Sequence, residues 1–357
     1  MDSKMSQSGL VSIVINNYNY EQFLSQAIDS ALGQRYPDIE VIVVDDCSTD
    51  SSQTIMAEYG DRIIPIFHQQ NGKQAAALNS GFDASQGDIL LFLDADDYLM
   101  SNAVENIVAA FEPKVGKVHF RLQVVDGENV SLGYSIPSVG MSLTTGEVWR
   151  QLLKTSSYVS APMSGNAYRR ETLIPVFPIP AAYKTTADDY LMISTPFYAN
   201  RMASIDESIG AYRVHNSNQW ALTTVSGSRF RRFVEHDLQN FALLRQRAQE
   251  IGEAIPTDLE QRSLGRIWSR LASLRLEPQN HPVETDQVMK LVGWGVAALW
   301  RFSSHNLPKR VIYTLLFLWV GFMPVPLSSL GITWLYAPHL RPKFIDTTLN
   351  RLRAFVS

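Results

Sequence analysis

Cysteine is almost absent. Cys47 stands alone among 357 residues, so an intrachain disulfide is impossible and a cysteine-based zinc cluster is excluded. A reducing cytoplasm is the expected setting. Charge is also scarce, at 18% of residues against about 25% in ordinary globular domains, and neither sign dominates. The formal net charge of −4 is too small for the whole molecule to bind nucleic acid on electrostatics alone. The sequence has no internal repeat and no low-complexity segment, and its first ten residues, MDSKMSQSGL, lack the continuous apolar stretch of a signal peptide. The N-terminal half is therefore expected to stay where it is made.

Apolar residues make up 45% of the chain, enough for a sizeable core. At about 150 residues per domain the length allows two domains, or one large domain with an appendage. The charge is unevenly spread: residues 1–226 carry 14 basic and 25 acidic side chains, net −11, whereas 227–357 carry 17 and 10, net +7. An acidic front is joined to a basic back.

Short apolar runs alternate with helical patterns. VSIVI (11–15) gives way to the turn-formers NNYNY, after which Phe23, Leu24, Ala27, Ile28, Ala31 and Leu32 follow helical spacing. EVIVV (40–44) leads into DDCSTDSS and a helix beginning near Ser51. A third strand (63–67) precedes a helix over 73–84, and ILLFL (89–93) runs into Asp94-Ala95-Asp96-Asp97. The alternation predicts a mostly parallel α/β sheet with helices on both faces. Such sheets bind ligands at the carboxyl ends of their strands, where each of these runs ends in polar residues. KVHFRLQVVD (117–126) reads as a further strand, and 228–276 as amphipathic helix interrupted near Pro256.

Three carboxylates within four positions after a buried strand repel one another unless a cation sits among them, and hard oxygen ligands suit Mg²⁺ or Mn²⁺. A divalent ion bridging to a diphosphate accounts for the arrangement.

VSIVINNYNYEQFLSQAIDSALGQ, EVIVVDDCSTDSS and NGKQAAALNSGFDASQGDILLFLDADD, in that order and spacing, resemble the family 2 inverting glycosyltransferases of the GT-A fold. The resemblance is close from residue 11 to about 100 and looser to about 220. It implies that Asn16, Tyr18 and Asp46 hold the base and ribose of a nucleotide-sugar donor and that Lys73 contacts the nucleotide. It also implies that Asp94 and Asp96 form the DxD motif, with Asp96 as a metal ligand and Asp94 on ribose or metal. Ala187-Asp188-Asp189-Tyr190 matches the family's second acidic pair, with Asp188 where Glu is commoner, and nominates Asp189 as the catalytic base. AYRVHNSNQ matches a Tyr-Arg-x-His segment that brings Arg213 to the diphosphate and His215 to the metal. Two other readings stand beside this one. A nucleotidyltransferase of similar sheet topology ordinarily needs a Gly-rich phosphate loop, which NNYNYEQF does not supply; a catalytically silent, membrane-bound scaffold would keep the fold without the chemistry.

Residues 311–338 contain no charged side chain, the length and neutrality of a membrane span. Pro324 and Pro326 divide the stretch, and Lys309, Arg310, Arg341 and Lys343 flank it on both sides, which favours a re-entrant or interfacial helical hairpin over a crossing. The expected organisation is a GT-A catalytic domain over 1–226, with its nucleotide part at 1–110 and its acceptor part at 111–226. A helical basic region (227–310), a hydrophobic membrane-associating segment (311–340) and a basic tail (341–357) follow. The expected activity is transfer of a sugar from a UDP-sugar to a saccharide or lipid-linked acceptor in cell-surface polysaccharide synthesis, at the cytoplasmic face of the membrane.

Overall fold

The computed structural model describes residues 9–215, 226–303 and 305–336; the last positions of the hydrophobic segment, 337–340, and the basic tail lie outside them. The chain divides into two compact units, Met1–Leu152 with Ser157–Asn218, and Leu153–Ser156 with Gln219–Ser357.

The first unit opens with four strand–helix steps. The β-branched runs form β1 (Val11–Asn17), β2 (Ile39–Asp45), β3 (Ile64–Phe67) and β4 (Ile89–Asp94), and the helically spaced segments between the first four strands form α1 (Glu21–Leu32), α2 (Ser52–Glu58) and α3 (Lys73–Ala84). These four strands are parallel, in the order β3-β2-β1-β4. Because side chains alternate across a strand, Ile13 and Ile15 join Val41, Val43, Leu91 and Leu93 in one core with Leu24, Ala27 and Ile28 of α1. Val14 points to the opposite face and meets α3, so closely that a β-carbon on Gly81 would lie 2.2 Å from Val14 Cγ1. Helices thus cover both faces, as the alternating pattern predicts.

The sheet then changes character. After β5 (Tyr98–Leu99) and α4 (Ala103–Ala110) come β6 (Val115–Val125), β7 (Ser131–Ile136), α5 (Val148–Thr155), β8 (Asn166–Arg169), α6 (Arg170–Leu173), α7 (Ala187–Ser194) and β9 (Arg201–Arg213). β8 lies antiparallel between β4 and β6, and β6 runs parallel to β9, giving the order β3-β2-β1-β4-β8-β6-β9-β5 with β7 on β6. β4 therefore sits between the parallel half and the mixed half, with its carboxyl end at their junction.

The second unit contains α8 (Gly227–Glu250), α9 (Leu264–Leu276), α10 (Val288–Arg301), α11 (Leu307–Phe322) and α12 (Val325–Tyr336). Phe230, Trp268, Leu271, Val292, Phe317 and Ile332 share its core. Trp268 stacks on Phe317 at 4.0 Å, and α10 approaches α11 so closely that a β-carbon on Gly295 would lie 2.3 Å from the Phe317 ring. The hydrophobic segment is a hairpin of two helices parted at Met323-Pro324. One side of α11 is buried through Phe317 and Val320, while Val311, Leu315, Leu318, Trp319 and Phe322 remain exposed on the other. Among the described residues no helix is long and apolar enough to cross a membrane; the 16 residues of α11 span about 24 Å.

Candidate active site

The site is built on strand ends. In-register pairing sets Asn16 of β1 beside Asp94 of β4, and the Asn16 amide donates to Asp94 Oδ1 at 2.9 Å. One turn later the chain brings back Asp96 and Asp97, so that an oxygen from each of the three carboxylates lies within 4.8 Å of the others. Burial first, then the Asp96 charge, pushes Asp94 up to about 6, against hydrogen bonds from Asn16 and Gln74 that favour its ionised form. Asp97 is raised well above the usual range by burial and then by Asp96 and Asp94. Carboxylates crowded in this way are relieved by a hard divalent cation, and Asp94, Asp96 and Asp97 have the oxygen donors and spacing that could hold one.

Asp97 has a different task. Its Oδ2 accepts a hydrogen bond from Ser164 at 2.6 Å and its Oδ1 accepts the Arg213 backbone N–H at 2.9 Å. Ser164 Oγ also accepts the Asp94 N–H at 3.1 Å. Arg213 ends β9 with 1% exposure. Its guanidinium donates to the Asp96 carbonyl at 2.7 Å, to Asn129 Oδ1 at 2.7 Å and to Gln26 Oε1 at 2.7 Å, and lies 4.5 Å from the Phe23 ring centroid. The guanidinium thus ties the carboxylate loop to the side chains of Asn129 and Gln26. His215 stands beside the cluster, with Nε2 3.0 Å from Asp96 Oδ2 and its ring against Tyr20 and Phe23.

On the nucleotide side, Tyr18 is 42% exposed and Lys73 Nζ lies 5.6 Å from its ring centroid. Asp46 shapes the loop before α3: Oδ1 accepts the Gly72 N–H at 2.9 Å and faces His68 Nδ1 at 2.8 Å, and Oδ2 accepts the Lys73 N–H at 2.7 Å. Lys73 takes a φ of +67° there, a conformation costly for a residue with a β-carbon and held by that bond. Asn16 Oδ1 is buried and has no hydrogen-bond partner among the described residues.

Asp188 and Asp189 occupy the first turn of α7. Burial, then Asp189, then Asp94 push Asp188 up to about 8, while Lys117 and the Met163 N–H favour its ionised form. The charges of Asp97, Asp96, Asp94 and Asp188 all act on the Tyr212 hydroxyl, whose pKa is raised first by burial. The strand-end cluster and the α7 carboxylates therefore share one electrostatic neighbourhood, although more than 90 residues separate them in sequence.

Residues 12–174 match the model for glycosyl transferase family 2. Over that segment the chain is a glycosyl transferase family 2 sequence. An uncharacterized glycosyltransferase of Nostoc is 36% identical over 215 residues, covering 58% of this chain and 66% of the relative. The uncharacterized glycosyltransferase EpsJ of Bacillus subtilis is 39% identical over 105 residues, 29% of this chain and 30% of the relative. The chain thus spans about two thirds of the one and under a third of the other. Among solved structures, TarS 1–349 of S. aureus in complex with UDP-GlcNAc superposes with a TM-score of 0.52 at 17% identity, covering 91% of each chain. That likeness shows the GT-A fold.

The structure brings Asn16 and His215 against Asp94 and Asp96 of the cluster. Sequence reasoning missed Ser164, Gln26, Gln74 and Lys117. Ser164 reads only as a turn residue, and no spacing rule ties it to a carboxylate 67 positions earlier.

Proposed function

We propose that the protein is an inverting glycosyltransferase that moves a sugar from a UDP-sugar to a hydroxyl of a saccharide or lipid-linked acceptor in cell-surface polysaccharide synthesis. The observation that carries this reading is the joint placement of the Asp94–Asp97 cluster and the α7 acidic pair in one electrostatic neighbourhood. Tyr18 and Lys73 offer a ring face and a cation to the nucleotide, and Asn16 Oδ1, without a hydrogen-bond partner among the described residues, offers an acceptor to a base or ribose donor. The acceptor oxygen bonds to the anomeric carbon from the face opposite the diphosphate, the bond from that carbon to the diphosphate oxygen breaks, and the acceptor's proton passes to Asp189. Asp188, held near 8, keeps its own proton at neutral pH, which supports Asp189 as the base of the pair. A divalent cation bound by Asp94 and Asp96, with His215 alongside, would supply charge neutralisation for the leaving diphosphate.

The membrane surface belongs to the same reading. The exposed apolar side of α11 and the net +7 of residues 227–357 support docking on the anionic cytoplasmic leaflet, where each basic residue contributes on the order of 1 kcal/mol. The deciding experiment measures UDP release from UDP-GlcNAc and other UDP-sugars by purified protein, with and without Mn²⁺. Metal-stimulated release is expected. A protein that neither binds nor turns over any nucleotide sugar would support the silent-scaffold reading instead.

A further inference from the structure

β2 and β3 end side by side, with Asp45 opposite Phe67 in register and the His68 N–H donating to the Asp45 carbonyl at 2.9 Å. The next residue of each strand, Asp46 and His68, therefore meet beyond the strand ends, where His68 Nδ1 stands 2.8 Å from Asp46 Oδ1. The contact is enclosed, with the His68 and Asp46 side chains 17% and 4% exposed. Both Asp46 oxygens accept backbone N–H groups, from Gly72 and Lys73, so the carboxylate is an acceptor and the ring nitrogen facing it carries a proton. The other ring nitrogen, Nε2, lies 2.8 Å from Ser80 Oγ on α3. Ser80 stands two helical turns after Lys73 on the same side of that helix. His68 thus reaches Lys73 by two routes, through Asp46 to its backbone N–H and through Ser80 to the helix that it begins.

We propose that His68 is a positioning residue for the nucleotide end of the donor: its imidazole fixes the Asp46 carboxylate, and the fixed carboxylate holds the turn from which Lys73 is presented beside Tyr18. The nucleotide part of this inference rests on the proposed function, whereas the hydrogen-bonded series Asp46, His68, Ser80 does not. The reason for the device is the Lys73 backbone. Its φ of +67° is unfavourable for a residue with a β-carbon, and its N–H is held by Asp46 Oδ2 at 2.7 Å, closer than by Asn71 Oδ1 at 3.2 Å. With Oδ1 taken by both the imidazole and the Gly72 N–H, the carboxylate has one orientation left, and in it Oδ2 meets Lys73. The aspartate cluster is held by other groups, Ser164 and Arg213. Loss of the imidazole should therefore act on donor binding and spare the chemical step.

Nitrogen-15 NMR of the histidine rings reads the contact without any nucleotide. The His68 ring is expected to carry a proton on Nδ1; a ring protonated on Nε2 alone overturns the series. The positioning role is read by calorimetry with UDP and Mn²⁺ and by kinetics with UDP-GlcNAc. His68→Ala is expected to weaken UDP binding about tenfold and to raise KM for the donor by a similar factor, with kcat within about twofold. His68→Asn, whose amide N–H stands where Nδ1–H does, is expected to recover most of the loss, and His68→Gln, which reaches only the Nε2 position, is not; should His68→Ala fail to fold, this pair carries the test. In a Lys73→Met background His68→Ala should weaken UDP binding by less than about twofold, because it acts through Lys73; a full tenfold loss there overturns the route. UDP affinity and KM unchanged in the Ala and Gln variants, with only the melting temperature lowered, overturn the positioning role and leave the proposed function standing. Wild-type protein that carries the Nδ1 proton but binds neither UDP nor UDP-GlcNAc overturns the proposed function, and the positioning role with it.

Discussion

Ser164 donates a hydrogen bond to Asp97 at 2.6 Å while accepting one from the backbone N–H of Asp94. One hydroxyl thereby ties both ends of the acidic loop to the short turn Met163–Gly165 before β8. Together with the Arg213 guanidinium on the Asp96 carbonyl, it holds like charges closer than they would settle alone.

Asp96→Asn is expected to abolish most metal-stimulated UDP release while leaving the fold intact, because it removes a cation ligand and relieves repulsion at the same time. Circular dichroism and thermal melting check the fold. Wild-type activity unaffected by EDTA would contradict the metal's role.

Asp189→Asn is expected to lower kcat by at least about 10²-fold with UDP-GlcNAc affinity little changed, as judged by calorimetry. If Asp188→Asn proves the more damaging substitution and Asp189→Asn is nearly normal, the base is Asp188.

Arg213→Met is expected to destabilise the first unit by about 3 kcal/mol or more, since it strips charge-assisted hydrogen bonds from the Asp96 carbonyl, Asn129 and Gln26 in a buried place. Chemical denaturation gives the number. A melting curve like that of wild type would show that the loop does not depend on this grip.

Stability without metal should fall with rising pH. Asp188 holds its proton to about 8 in the folded protein but only to about 4 when unfolded, so the folded state binds the extra proton between those limits and is favoured at the acidic end. Lys117, held near 7, acts in the opposite sense only above that pH. Asp188→Asn should flatten the slope between pH 4 and 7 in EDTA; an unchanged slope would mean that Asp188 titrates normally.

Leu315→Glu combined with Phe322→Glu alters side chains that are 61% and 55% exposed, so melting should be unaffected. Co-sedimentation with phosphatidylglycerol-containing vesicles should fall about tenfold or more. Equal sedimentation of variant and wild type would dismiss the α11 face as a lipid-docking surface, and a concentration-dependent dimer lost in the variant would assign it to a second copy. Deleting the chain from Lys309 onward is a poorer test, because it would also remove Phe317, Val320 and Ile332 from the second unit's core.

The sequence by itself determined the parallel half of the sheet, the helices between its strands, the aspartate cluster at the end of β4 and the division of the hydrophobic segment at its prolines. All of these are local: a periodicity, a cap, or a run of one residue type states which conformation a segment takes and which side it buries. Only the tertiary structure decided the rest. The alternation in KVHFRLQVVD marks a strand, but nothing local shows that its polar side would be covered, placing Lys117 and His119 at 0% exposure. Nor does a Tyr-Arg-x-His segment show that its arginine donates to the Asp96 carbonyl. Both outcomes depend on β6 pairing with β8 and β9, contacts between segments far apart in the chain. Such pairings are selected by the summed fit of the whole core and leave no periodicity in any one segment.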